Sequence, residues 1–288
     1  MQIMPQLQQL HNSLTLADGN SWSIIANDAC GVGFAETLAK TMQLQPSALN
    51  NQTELILSCE QPAKNSLPLI FSKKIYSSIL DKKKIACHLT PAENNDDLAF
   101  KLMELSLVFC CKSELMGGLL LHGALVEING EGIILAGPGD VGKTTASRRL
   151  PPPWNSLSDD CTLIVLDKDG IYRAHPWPTW STYMFGGTGG SWDVQQSIPL
   201  KAIFLLAQDE KDHAEPLGQG QATCLLTETA EQAWYILSDK FGDEKRQDLS
   251  LQRFNNICEL VKNIPAFLLQ ITKNGLFWEE IEKALPKD

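Results

Sequence analysis

The stretch LLLHGALVEINGEGIILAGPGDVGKTT, from Leu119 to Thr145, constrains this chain more than any other. It closes on GPGDVGKT, a loop of the G-x-x-x-x-G-K-[ST] type. Gly137, Gly139 and Gly142 let the backbone curl with its N–H groups pointing inward, around phosphate oxygens, and the helix dipole that follows favours the same anion. Lys143 reaches the β- and γ-phosphates of a nucleoside triphosphate, and the Thr144 hydroxyl can ligate Mg²⁺. The predicted site for ATP and Mg²⁺ therefore runs through Gly137, Pro138, Gly139, Asp140, Val141, Gly142, Lys143, Thr144 and Thr145. IILAG reads as a strand ending at the first glycine. KTTASRRL reads as a short helix stopped by Pro151 to Pro153. Before this strand stands a second apolar run, opened by His122, with a short polar turn between the two. The pattern predicts a hairpin where one strand would suffice.

A metal-bound triphosphate also calls for a carboxylate. Asp159 and Asp160, in LSDDCTLIV, stand directly before an apolar run that reads as a buried strand. Adjacent residues of an extended chain point to opposite sides, so the two acids have different tasks. One can orient or ligate Mg²⁺. The other can accept the proton of an attacking hydroxyl.

The remaining features narrow the class. The chain has 288 residues, a net charge of -10 and 43% hydrophobic residues, enough for a substantial core in one or two domains. An acidic chain repels the nucleic-acid backbone, so no nucleic acid is expected as partner. KKIYSSILDKKK, Lys73 to Lys84, is locally basic and reads as a solvated surface. The eight cysteines include no C-x-x-C pair, and several sit in apolar runs, as in LSLVFCC. That pattern predicts reduced, buried thiols and neither a disulfide framework nor a zinc site. The start, MQIMPQLQQLHNS, lacks the features of a signal peptide. No apolar stretch reaches the roughly 18 residues of a membrane span. The expectation is a cytoplasmic protein with no membrane contact.

Along the chain, SLTLADGNSWSIIA alternates around Asp18-Gly19 and predicts a β-hairpin. GFAETLAKTMQL is helical in spacing, and ELILSC, KIYSSI and KIACHL read as strands. His88 in KIACHL reads as a strand residue with a local partner. These pieces predict a small N-terminal α+β domain over residues 1–92, with a second domain over 93–288. The second opens with a helix from Asn94 to Met116, capped by Asp96 or a neighbouring Asn. After the aspartates come strand CTLIVLD, a turn at Lys168 to Gly170, and IYRAH pairing back. FGGTGGSWD predicts a mobile loop. KAIFLLAQ is a core strand, and two helices, the strand AFLLQI and a last helix finish the chain.

HGALVEINGEGIILAGPGDVGKTT followed by SDDCTLIV resembles the core of HPr kinase/phosphorylase, a serine kinase of the phosphoenolpyruvate-carboxykinase-like branch of phosphate-loop folds. The resemblance covers about Leu119 to Asp167 and joins the histidine strand, the tight turn, the loop and the double aspartate in order. Outside it, ADGNSW, HPWPTWS, PLKAIFLLAQ and FLLQITKNGLFWEEIEKAL are similar to smaller HPr-kinase-like proteins of peptide-modification gene clusters, of the SynChlorMet cassette protein C type. The resemblance implies an α/β fold with a phosphoenolpyruvate-carboxykinase/HPr-kinase-like P-loop core. It implies that the hairpin brings His122 beside the catalytic aspartate, that Asp159 is the base activating a serine hydroxyl, and that Asp160 serves the metal with Thr144. It also implies a precursor peptide or small protein as acceptor, with partners from the same cassette and a homo-oligomer left open.

Nothing in the chain matches the family's E-x-R-G-L-G signature, which belongs to phosphorolysis; RAHPWPTWSTYMFGG lies in its place. The expectation is therefore an ATP- and Mg²⁺-dependent kinase without phosphorylase activity, with Arg173 and His175 the first candidates should reversal occur. The alternative is a nucleotide-binding scaffold or regulator without turnover. Arg148 and Arg149 read as solvated, and Trp177 and Trp180 as core fillers or stacking platforms.

Overall fold

In the computed structural model, residues 11–46, 52–59, 67–71, 75–81, 83–180, 190–238 and 243–285 are described. Most of the FGGTGGSWD segment expected to be a mobile loop lies outside them. The chain divides into two compact units, residues 1–109 with 180–195, and residues 110–179 with 196–288. Beside the division expected after residue 92, this one falls inside a helix and gives residues 180–195 to the first unit. Contacts within that unit explain the grouping: the Trp180 indole N–H meets Ser106 Oγ at 3.2 Å, and the Trp192 backbone N–H meets the Thr41 carbonyl at 2.8 Å.

The first unit holds a seven-stranded sheet. β1 (His11–Thr15) and β2 (Ser21–Ala26) form the hairpin around Asp18-Gly19. α1 (Ala29–Thr41) begins four residues before the helical spacing announced it, because Asp28 caps it, its Oδ1 accepting the Gly31 N–H at 2.7 Å. β3 (Gln45–Pro46), β4 (Thr53–Ser58), β5 (Leu67–Phe71), β6 (Ile75–Asp81) and β7 (Lys84–Leu89) complete it in the order β3-β1-β2-β4-β7-β6-β5. β2, β4 and β7 run parallel. Trp22, Phe34, Leu38, Leu55 and Leu57 are buried, and Trp22 meets Phe109 edge-on at 5.0 Å.

One expectation fails here. Cys30, in the first turn of α1, is disulfide-bonded to Cys59 at the end of β4, with Cα atoms 6.0 Å apart. No spacing rule flagged the pair, since the crossover from β2 to the parallel β4 brings together residues 29 positions apart. Of the other six thiols, Cys87, Cys110 and Cys111 are buried as anticipated, while Cys224 is exposed.

α2 (Asn95–Glu114) starts from Asn94, whose side chain accepts the Asp97 N–H at 2.9 Å, and runs from the first unit into the second. The second unit is built on an eight-stranded mixed sheet. β8 (Leu119–Ile128) and β9 (Glu131–Ala136) form the expected hairpin through Asn129 and Gly130, both at positive φ, as a two-residue turn of this twist requires. α3 (Lys143–Arg149) follows, then β10 (Asn155–Ser158), β11 (Cys161–Leu166), β12 (Tyr172–Trp177), β13 (Ile198–Gln208) and β14 (His213–Pro216). α4 (Gln219–Ser238), α5 (Asp243–Asn263), β15 (Ala266–Ile271) and α6 (Phe277–Ala284) close the chain. β13 lies parallel to β9 on one side and to β15 on the other.

Alternation along the strands loads both faces of this sheet. Leu121, Leu125, Ile134, Ile203 and Leu205 face one way, against Leu226 and Ala230 of α4 and Ile257 and Leu260 of α5. Ala124, Val126, Leu135, Phe204 and Leu269 face the other, with Ala146 of α3 and Phe277 and Ile281 of α6. A buried polar cluster pins the start of β8. Glu114 accepts from the Leu120 backbone, the Trp234 indole and Arg253, while Asn256 donates to the carbonyls of Glu114 and Gly118. Burial raises the Glu114 carboxyl above its ordinary range, and Arg253 offsets only part of that. Among the described residues no helix is long and apolar enough to cross a membrane.

Candidate functional site

β8 organises the site from both of its edges. Its first four residues pair with β11, His122 opposite Cys161, and its last six pair with β9, Gly123 opposite Ala136. β10 continues the β11 edge, so Asp159 and Asp160 form a two-residue bend that interrupts one long partner strand. Ser158 stabilises the bend: its hydroxyl takes the Leu125 N–H at 3.2 Å and donates to the Cys161 carbonyl at 2.8 Å.

The glycine loop leaves β9 one residue after Ala136. Gly137 has φ +149°, and a Cβ there would lie 3.1 Å from Val141 and 3.3 Å from the Leu206 carbonyl. Gly142 starts α3 in the left-handed region at φ 107°, with no side chain capping the helix. Both positions suit glycine alone or nearly so. Lys143 is buried and its ammonium donates to the carbonyls of Gly137 at 3.0 Å and Pro138 at 2.9 Å, so the charge spans its own loop. Burial lowers this ammonium below its ordinary range, although Asp160 pulls it the other way.

The two aspartates part company, as adjacent residues should. Asp159 accepts from Thr179 Oγ1 at 2.6 Å and from Arg148 at 2.9 Å, and its backbone carbonyl takes the Thr144 hydroxyl at 3.2 Å. Asp160 meets His122 Nε2 at 2.8 Å, and His122 Nδ1 lies 3.0 Å from Gln232 Oε1. Burial pushes the Asp160 carboxyl up, but the hydrogen bond and charge of His122, then the charge of Lys143, outweigh it and hold the carboxyl below its ordinary range. The resemblance implied a histidine beside Asp159. The imidazole instead bonds Asp160, because β-sheet register sets His122 against Cys161, next to Asp160 in sequence.

His122, Asp160 and Lys143 thus form one group, and Thr144, Arg148 and Thr179 gather round Asp159. Pro138, Gly139 and Asp140 lie exposed at the loop's tip, Asp140 at φ 61°. Arg148 and Arg149, expected to be solvated, both have partners: Arg149 donates to the carbonyls of Thr272 and Gly275 and lies over the Phe277 ring at 5.2 Å. His175, Trp177 and Trp180 are buried, which favours packing over stacking on a ligand. Arg173 binds Ser197 through Nε at 2.9 Å. Gln232 and Thr179 escaped the sequence reading, and no local pattern marks either.

The donors fit a hard divalent cation. The Thr144 hydroxyl and the Asp160 carboxylate both offer oxygen, and Mg²⁺ takes few protein ligands when phosphates and waters supply the rest. The only cluster of three potential metal ligands among the described residues is elsewhere, at Asp28, Cys30 and Cys59, where the two sulfurs are already bonded to each other.

Residues 85–286 match the family described as SynChlorMet cassette protein ScmC, a stretch that contains every residue of this site. No curated protein matches the chain.

Proposed function

The chain belongs to the SynChlorMet cassette protein ScmC family, and from that premise we propose that it is an ATP- and Mg²⁺-dependent kinase of a cassette. Its acceptor would be a serine of a precursor peptide or small protein in peptide natural-product maturation, and its core an HPr-kinase-like P-loop. The observation that carries this reading is the junction of Lys143, Asp160 and His122 at the bend opposite β8, whose next residue, Gly123, pairs with Ala136 at the entry to the glycine loop.

On this reading Lys143 exchanges its two loop carbonyls for β- and γ-phosphate oxygens, to which the curled backbone adds its N–H groups. Thr144 and Asp160 would hold Mg²⁺, which when bound neutralises charge between those phosphates. His122 keeps the Asp160 carboxylate oriented and charged. Asp159, turned to the other side, receives the serine proton through Oδ2 as Arg148, whose side chain is 68% exposed, swings away. The serine Oγ–P bond forms, the bond from the γ-phosphorus to the β-bridging oxygen breaks, and ADP leaves. Positioning and charge supply most of the rate.

A non-catalytic nucleotide-binding scaffold is the second reading, and one observation favours it: Asp159 is already engaged by Arg148 and Thr179. Transfer of γ-labelled phosphate from ATP to cassette peptides separates the two. The kinase reading expects labelled phosphoserine, with Asp159→Asn lowering transfer by about 10²-fold at near-normal ATP affinity. ATP binding without transfer to any peptide of the cassette would establish the scaffold. Incubation of phosphorylated acceptor with Mg²⁺ and phosphate should release no pyrophosphate.

A further inference from the structure

A pocket of about 450 Å³ opens in the second unit at the C-terminal ends of the parallel strands β9, β13 and β15. Such strand ends are where open α/β sheets take their ligands. The pocket lies on the flank of α3 away from the aspartates. Thr144 and Arg148, one helical turn apart, both bond Asp159. Thr145 and Arg149, also one turn apart, line the pocket instead. The loop is therefore flanked by reactive groups on one side and by a cavity on the other.

The lining has the chemistry of a flat heteroaromatic ring. Ala146 and Ile271 are apolar and buried. Arg149 is a planar cation fixed by the carbonyls of Thr272 and Gly275, with its Cζ 5.2 Å from the Phe277 ring centre, and its side chain lines the pocket. A guanidinium held in this way stacks on a base. At the rim stand Asp209, whose carboxylate is steadied by Gln270 and the Glu210 N–H, and the exposed Lys273. An acceptor and a donor of opposite charge suit a ring edge that carries both N–H groups and lone pairs. They do not suit a simple anion or cation.

We propose that this pocket binds the purine base and ribose of the nucleoside triphosphate, with Arg149 stacked on the ring. The proposal rests on the nucleotide reading above and assigns that ligand's other end.

Calorimetric titration of the full chain with the Mg²⁺ complexes of ATP, CTP and inorganic tripolyphosphate tests it. Wild type should bind ATP at least tenfold more tightly than CTP or tripolyphosphate. Arg149→Met and Asp209→Trp, the second a bulky change at an exposed wall, should each weaken ATP at least tenfold and leave tripolyphosphate within about twofold. Lys143→Ala should lose both ligands. Tripolyphosphate bound as tightly as ATP by wild type, or ATP bound normally by Asp209→Trp, would overturn the pocket assignment while the loop reading stands. Wild type that binds neither ligand would overturn both. Arg149→Met also unties the turn at 272–275, so its circular dichroism is checked, and Asp209→Trp decides the matter if that variant is misfolded.

Discussion

At the C-terminal ends of β2 and β4, Asp28 accepts hydrogen bonds from Gly31, Ser58 and Cys59, and a disulfide joins the same two strand ends a few ångströms away. At the C-terminal ends of β9, β13 and β15 the strands are also parallel, but there the connections diverge around a glycine loop and a pocket. The two edges share an architecture and differ in what their polar groups face. Asp28 is consumed by its own helix and neighbouring strand. Asp160 has one hydrogen-bond partner among the described residues, the His122 imidazole, and the charge of Lys143 also holds it ionised. An acid whose hydrogen bonds close locally is structural, and one kept charged but under-coordinated is available for chemistry.

The largest expected effect breaks the closed edge. Cys30→Ser with Cys59→Ser opens a loop of 29 residues, and the chain-entropy account gives a loss of about 3–4 kcal/mol. Denaturant unfolding, followed by far-ultraviolet circular dichroism, measures it; an unchanged midpoint would mean the staple contributes nothing. Next, 100 Kd of Mg-ATP should stabilise wild type by about 2.7 kcal/mol and Lys143→Ala by close to zero in thermal unfolding. Equal stabilisation of both would remove the glycine loop as the phosphate site. Asp28→Ala comes third, with a cost of about 1–2 kcal/mol for the lost cap. Its counterpart sharpens the contrast: Asp160→Asn should cost less than Asp28→Ala in the absence of nucleotide, because the amide oxygen can still pair with His122, while losing Mg²⁺-dependent ATP binding. Should Asp160→Asn destabilise the free protein as much as Asp28→Ala, the distinction between the two acids would fail.

What the sequence disclosed follows the range of the interactions involved. The β8–β9 hairpin, the loop and the strand after Asp160 are written in residues within a few positions of one another, in alternation and in glycine placement. β3, β5 and β14 went unread because Pro46, Pro68 and Pro216 argue against a strand. Each of these strands lies at the edge of its sheet, where a missing N–H is tolerated. The Cys30–Cys59 bond, the His122–Gln232 contact and the pocket wall formed by Arg149 with Thr272 and Lys273 join segments 29 to more than 120 positions apart. Such pairings depend on strand order, which local patterns do not encode. The choice of Asp160 over Asp159 for His122 is of the same kind, a matter of register between β8 and β11.

One strand, β8, carries His122 against β11 and, from the next residue on, the partner of the strand that enters the glycine loop. Histidine and loop are therefore gauged by a single pleat, and a one-residue slip of register between β8 and β9 would turn the imidazole to the opposite face relative to the loop. The walls contributed by Asp209 and Lys273 hang from the ends of other strands, after β13 and β15. Substitutions at those ends therefore change the lining of the pocket without touching the spacing of His122 and the glycine loop, which the hairpin sets.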